Sequence, residues 1–171
     1  MRLFVAIDCP EIEDYFFSLQ ELLPKAELTL AKSFHLTLKF LGNVDDSSSI
    51  INSLKEIKFH KFEFHLDNLG YFIDSKINVL WIGIQPKNDV IKLAESVDKT
   101  LKEFGNSEKE FIPHITLARV KNIDDKKSFL ESYNKIIVDK KKIKIDNFLL
   151  MESVLTPSGP IYREIKRFIL A

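Results

Sequence analysis

Apolar residues recur along this chain with two different periods. Leu3-Phe4-Val5-Ala6-Ile7 and Val79-Leu80-Trp81-Ile82-Gly83-Ile84 are short, continuously apolar runs, which predict buried strands over Leu3–Asp8 and Val79–Ile84. After the first run, Ile12, Tyr15, Phe16, Leu19, Leu22 and Leu23 recur near a helical period and predict a helix over 11–23. Asp8 is its candidate N-cap, with Glu11 three residues on and Pro10 in the first turn. After the second run, Val90, Ile91, Leu93, Ala94, Val97, Leu101 and Phe104 predict a helix over 88–104. Asn88 is its candidate cap and Gly105 its stop. Further strands are predicted over Phe34–Leu41 and His114–Val120, and further helices over Ser48–Ile57 and Lys126–Ile136. Closing strands follow near Phe62–Leu69 and Ile143–Met151. A turn at Pro157, Gly159 and Pro160 leads into a last strand near Tyr162–Leu170.

The order strand, helix, strand, helix, strand thus occurs twice. Landmarks in the two halves share a register. His35-Leu36-Thr37-Leu38 returns 79 residues later as His114-Ile115-Thr116-Leu117, and Leu66-Asp67-Asn68 returns at the same distance as Ile145-Asp146-Asn147. Leu3–Ile7 and Leu80–Ile84 correspond at a distance of 77. The expected fold is therefore α+β: one domain over residues 1–171 built of two pseudo-symmetric lobes, from pseudo-repeats of about 1–75 and 76–171. Each lobe is expected to hold an antiparallel-rich sheet and two helices, with a cleft between lobes.

Side chains alternate faces along a strand. His35 and Thr37 therefore share one face, as do His114 and Thr116, with aliphatic residues anchoring each strand from behind. Two such pairs facing each other suit phosphoryl chemistry. One neutral imidazole accepts a proton from water, one imidazolium donates to a leaving oxygen, and the threonine hydroxyls hold phosphate oxygens. Arg119 lies five residues beyond His114 and reaches that face only if a strand end or bulge turns it inward. Lys39, Lys121 and the run Lys140-Lys141-Lys142 are expected in solvent, His60 and His65 at ordinary surface or strand positions. Phe4, Phe34, Phe40, Phe72 and Trp81 are expected mainly in the core, an aromatic at the cleft being free to stack on a base.

Composition narrows the picture. Twenty-five basic and twenty-five acidic residues give a formal net charge of zero, so any nucleic-acid contact is local rather than a wrapped duplex. Cys9 is the single cysteine, which leaves no intrachain disulfide and no multi-cysteine zinc site. The N-terminal MRLFVAID lacks the apolar stretch of a signal peptide, and no run approaches the ~20 apolar residues of a membrane span. There is no glycine-rich phosphate loop and no other cofactor signature. The expectation is a cytoplasmic protein without cofactor, metal, membrane or protein partner.

Five segments carry a resemblance to a known family. They are Arg2–Asp8, Phe34–Gly42, Val79–Gly83, Phe111-Ile112-Pro113-His114-Ile115-Thr116-Leu117-Ala118-Arg119, and Ser153 to Tyr162 with its Ser158-Gly159-Pro160-Ile161-Tyr162 end. In this order the chain resembles the two-histidine phosphoesterases, and among them the RNA 2′,3′-cyclic phosphodiesterases formerly called 2′-5′ RNA ligases. The resemblance implies a bilobal fold and hydrolysis of a terminal 2′,3′-cyclic phosphate to a 2′-phosphate, on RNA ends or tRNA halves. It also implies reversible 2′-5′ joining in some members. By position it assigns His35 as proton donor, His114 as proton acceptor, and Thr37, Thr116 and Arg119 to the phosphate. Asn78 stands where family members often carry arginine, and Leu28-Thr29-Leu30-Ala31 where they often carry tryptophan; both departures concern nucleotide contacts. Other readings of the same motifs are a phosphodiesterase for small cyclic nucleotides or 2′-5′ oligonucleotides, and an RNA- or nucleotide-binding module without turnover.

Overall fold

A computed structural model describes every residue from Met1 to Ala171. Nine strands form one antiparallel sheet: β1 (Arg2–Asp8), β2 (Glu27–Leu30), β3 (His35–Asn43), β4 (Phe62–Asp74), β5 (Lys76–Gln85), β6 (Ile115–Asn122), β7 (Lys142–Ile145), β8 (Asn147–Thr156) and β9 (Gly159–Ile169). Four helices accompany them: α1 (Glu13–Glu21), α2 (Ser48–Lys55), α3 (Asn88–Thr100) and α4 (Lys126–Tyr133). The expected α+β class is the observed one. No helix is long and apolar enough to cross a membrane.

The strand order is β7-β4-β5-β6-β3-β1-β8-β9, with β2 also paired to β6. Read outward from the contact of β3 with β6, the two directions correspond: motif strand, first strand of a half, closing strand. The closing strands are exchanged. β4, from the first half, pairs with β5 of the second, and β8, from the second half, pairs with β1 of the first. Each side of the sheet therefore contains chain from both halves. The joint between the halves is a tight hairpin at Ser75, whose φ is +59°.

One face of the sheet carries the main core. Leu3, Val5 and Ile7 of β1, Leu36 and Leu38 of β3, and Ile115 and Leu117 of β6 pack with Phe16, Leu19, Ile50, Val90 and Val97 of α1 to α3. A smaller cluster sets Phe129 and Tyr133 of α4 against Leu80, Ala118 and Val120. These apolar contacts, not local caps, hold most of the helices in place. Asp8 caps nothing: the chain passes through a 3₁₀ turn at Pro10–Ile12 before α1 begins, and Asp8 ends β1 facing Arg167 at 3.7 Å. Asn88 lies inside α3, after the cap position Lys87. Asp125 is a side-chain cap, accepting from the Ser128 amide at 3.1 Å. The closing segment predicted as Ile143–Met151 is two strands, β7 and β8, on opposite margins of the sheet.

Pairing registers also revise the internal repeat. Thr37 lies opposite Ala6, and Thr116 lies opposite Trp81. The two first strands thus correspond at a distance of 75 rather than 77, a slip of one full pleat that leaves facing unchanged.

Candidate active site

The sheet face away from the helices carries the predicted chemistry. β3 and β6 touch through a single pair, Leu36 opposite Ile115, and both of these point into the core. Continuing that register by one residue sets His35 opposite Thr116, and His114 opposite Thr37, on the other face. All four side chains are half-buried. The two threonine hydroxyls form no hydrogen bond within the protein, so both remain available to a ligand.

Each histidine is framed by aromatic rings from the neighbouring strands. Phe4 and Tyr162 lie 5.0 and 4.9 Å from the His35 ring. Phe72 meets His114 edge-on at 4.8 Å, and Trp81 lies 6.0 Å away. Trp81 fits because Gly70, its cross-strand partner, has no side chain: an added Cβ would stand 2.4 Å from the indole. The rings bury the histidines and so disfavour their charged forms. Burial, and secondarily the neighbouring His114, bring the pKa of His35 down to about 4. Burial also lowers the pKa of His114, and Arg119 lowers it further, while its bond to the Ile112 carbonyl and the charge of Glu108 raise it. That bond, 2.8 Å from Nδ1 to the carbonyl oxygen, requires hydrogen on Nδ1. Nε2 of neutral His114 is then a free proton acceptor.

Arg119 reaches this face through a β-bulge. Thr116 lies opposite Trp81 but Ala118 lies opposite Leu80, so Leu117 is an extra residue. Leu117 and Ala118 are consecutively buried, and Arg119 emerges exposed beside Thr116. β3 has the same bulge at Leu38, between the pairs Thr37–Ala6 and Lys39–Val5. There the residue brought to the face is Phe40, 79 positions before Arg119. Phe40 is 55% exposed and 5.9 Å from Phe4, not a core residue. The bulge also turns Lys39 inward. Expected in solvent, it is 5% exposed and ion-paired to Asp98 of α3.

The remaining expectations fall away from this face. His60 bonds Asp89 at 3.0 Å, and His65 its neighbour's carbonyl, Leu66 O, at 3.0 Å. Lys121 and Lys140–Lys142 are exposed. Asn78 is the extra residue of a bulge in β5, its Oδ1 buried without a partner, and Leu28–Leu30 belong to β2. Lys39 and Asp98 have no mark in sequence spacing, since tertiary contact brings them together; Tyr162, which ends the last of the five resembling segments, comes to His35 through strand pairing.

This arrangement places the chain in a family of phosphoesterases. The chain belongs to the 2′-5′ RNA ligase superfamily, whose sequence profile matches residues 12–150. It is 35% identical to the RNA 2′,3′-cyclic phosphodiesterase of Methanocaldococcus jannaschii, covering 98% of this chain and 100% of that protein. Identity to the Thermotoga maritima RNA 2′,3′-cyclic phosphodiesterase is also 35%, covering 95% and 92%. Escherichia coli LigT complexed with 3′-AMP superimposes with a TM-score of 0.77 at 27% identity, covering 99% and 96% of the two chains.

Proposed function

We propose that this protein hydrolyses 2′,3′-cyclic phosphate at RNA ends, or on tRNA halves, to a 2′-phosphate, acting in the cytoplasm. The observation that carries the reading is the diagonal arrangement of two His-Thr pairs across the single contact of β3 with β6. Family membership and the names of the relatives support it.

In the proposed reaction the cyclic phosphate lies between the histidines. Its non-bridging oxygens accept from the Thr37 and Thr116 hydroxyls and from the Arg119 guanidinium. Water attacks phosphorus and gives its proton to Nε2 of His114. The bond from phosphorus to the 3′ oxygen breaks, and His35 protonates that oxygen. His114 ends charged and His35 neutral, and exchange with solvent resets both. With a 5′-hydroxyl in place of water the same steps form a 2′-5′ linkage, and their reverse reopens it. No step draws on a metal or cofactor.

The test is product analysis on a short RNA ending in a 2′,3′-cyclic phosphate, with chelator present. Wild type should yield only the 2′-phosphate. His35→Ala and His114→Ala should each lose at least about a hundredfold in rate. Hydrolysis by both variants at the wild-type rate would refute the assignment. Turnover of small cyclic nucleotides or 2′-5′ oligonucleotides but not RNA ends would move the substrate class, and binding of the RNA end without product would leave a recognition module.

A further inference from the structure

The pseudo-symmetry of the sheet fails at one place. Along β6, residues 118–120 are covered by β2, which pairs Leu28 with Val120, Thr29 with Arg119 and Leu30 with Ala118. The corresponding stretch of β3, 79 positions earlier, is Lys39-Phe40-Leu41. No strand covers it, and no backbone hydrogen bond joins it to a neighbour on that side. The chain segment at the matching distance from β2 is Asn106–Lys109, which is not a strand. It belongs to the loop that ends in Pro113 and His114. Between this loop, β3 and α3 lies a cavity of about 240 Å³, lined in part by Lys39, Phe40, Asp98, Asn106 and Glu108.

Two contacts hold the loop where backbone pairing does not. Gly105, at φ +65°, lies so close to β3 that a Cβ there would stand 2.1 Å from the Phe40 carbonyl oxygen. Beyond it, the Ser107 hydroxyl donates to Asp98 at 2.8 and 2.9 Å, and the same carboxylate takes the buried ammonium of Lys39. Lys39 is two residues from Thr37, and Ser107 is one residue from Glu108, whose charge reaches His114. The chain of contacts thus joins one phosphate-binding strand to the approach of the opposite histidine.

We propose that Lys39, Asp98 and Ser107 form a clasp that positions His114 by fixing the loop 105–113, in place of the strand that covers the equivalent edge of β6. This inference rests on the functional reading above. Lys39 is a positioning residue: it faces the helix side of the sheet and touches neither dyad. A buried ammonium paired to a carboxylate and shared with a loop hydroxyl has one favourable geometry, so it fixes the loop more firmly than apolar contact would. A displacement of about 1 Å at a catalytic base costs up to about a hundredfold in rate.

The test uses Lys39→Met, Ser107→Ala and Ser107→Thr in the full chain. Lys39→Met keeps the stem and leaves Asp98, 39% exposed, to water, so the fold should survive; Ser107→Ala tests the loop end alone. Three readouts are taken: steady-state kinetics on the cyclic-phosphate RNA, amide exchange across 105–113, and an NMR titration of the His114 ring, whose charged neighbours are Glu108 and Arg119 and whose titratable neighbour is His35. Lys39→Met and Ser107→Ala should each lower kcat about tenfold with KM within twofold, speed exchange in 105–113 and shift the His114 titration. Ser107→Thr, which keeps the hydroxyl, should restore all three. Unchanged exchange and titration in the first two variants would overturn the clasp, whatever happens to kcat. Faster exchange with unchanged kcat would overturn its positioning role. A wild type that does not hydrolyse the RNA would instead sink the functional reading, and exchange and titration would still report on the clasp.

Discussion

His35 sets the most demanding electrostatic condition on the proposed chemistry. A proton donor must be charged, yet burial and His114 hold its pKa to about 4 in the ligand-free protein. At neutral pH both histidines are therefore uncharged before substrate arrives. The phosphodiester anion, placed between them, favours the charged form of each and supplies what is missing. On the proposed roles the free enzyme reacts from its minor form, with His35 charged and His114 neutral. Accordingly kcat/KM should peak below pH 6.5, because both free-enzyme values lie below the ordinary one, and kcat should peak at higher pH. A kcat/KM that rises steadily from pH 6 to 8 would exclude this assignment of roles. Arg119 and Glu108 act on the same limb with opposite sign. Arg119→Gln should raise the His114 pKa, and should weaken phosphate binding by about ten- to a hundredfold in KM through loss of a charge-assisted bond. Glu108→Gln should lower the His114 pKa with little change in KM. Equal shifts in one direction from both variants would contradict the electrostatic account.

Strand irregularities decide which residues reach the site. Alternation in the sequence is enough to put His35 with Thr37 and His114 with Thr116, because both pairs precede the bulges. Beyond Leu38 and Leu117 alternation inverts, so Arg119 and Phe40 face the cleft while Lys39 turns to the helices. A bulge depends on the register of the partner strand, and no local pattern in β3 or β6 encodes it. β2 was equally illegible: its four residues contribute none to the buried core, and only pairing with β6 makes them a strand. The burial of Lys39 depends on Asp98, 59 residues away. Glycines offer a test at this scale. Gly70→Ala forces the Trp81 indole from beside His114 and should cost about 1–3 kcal/mol with a loss of kcat/KM. Gly42→Ala, at φ +76° with nothing within 4 Å, should cost about 1 kcal/mol through backbone strain and leave kcat/KM alone. Denaturant midpoints and kinetics on the two proteins separate the effects; matched activity losses would show that Trp81 does not shape the site.

Exchange of the closing strands makes the site a property of the whole molecule. β4 buttresses the side of His114 and comes from the half that carries His35, while β8 supports β1 beside His35 and comes from the other half. Neither half can unfold without removing a strand from the other side, so the two sides should melt together and the buried histidines should report on global stability. Each has a folded pKa below its unfolded value, so the unfolded chain binds more protons, and stability falls as pH drops below about 6.5. For His35 the loss is complete near pH 4 and amounts to about 3 kcal/mol. Asp98, whose carboxyl is held low chiefly by its bond to Lys39, loses its contribution only below that window. Asp8, raised by burial, binds its proton more readily when folded and opposes the histidine trend at its lower end. Chemical denaturation of wild type between pH 7 and 4 should therefore show one cooperative transition that weakens with acid. His35→Asn should flatten that dependence, and a saturating 2′-nucleotide should flatten it in the wild type, since the bound anion favours the charged rings. An unchanged slope in His35→Asn would mean that the acid sensitivity does not come from His35, and two separate transitions would mean that the exchanged strands do not bind the molecule into one folding unit.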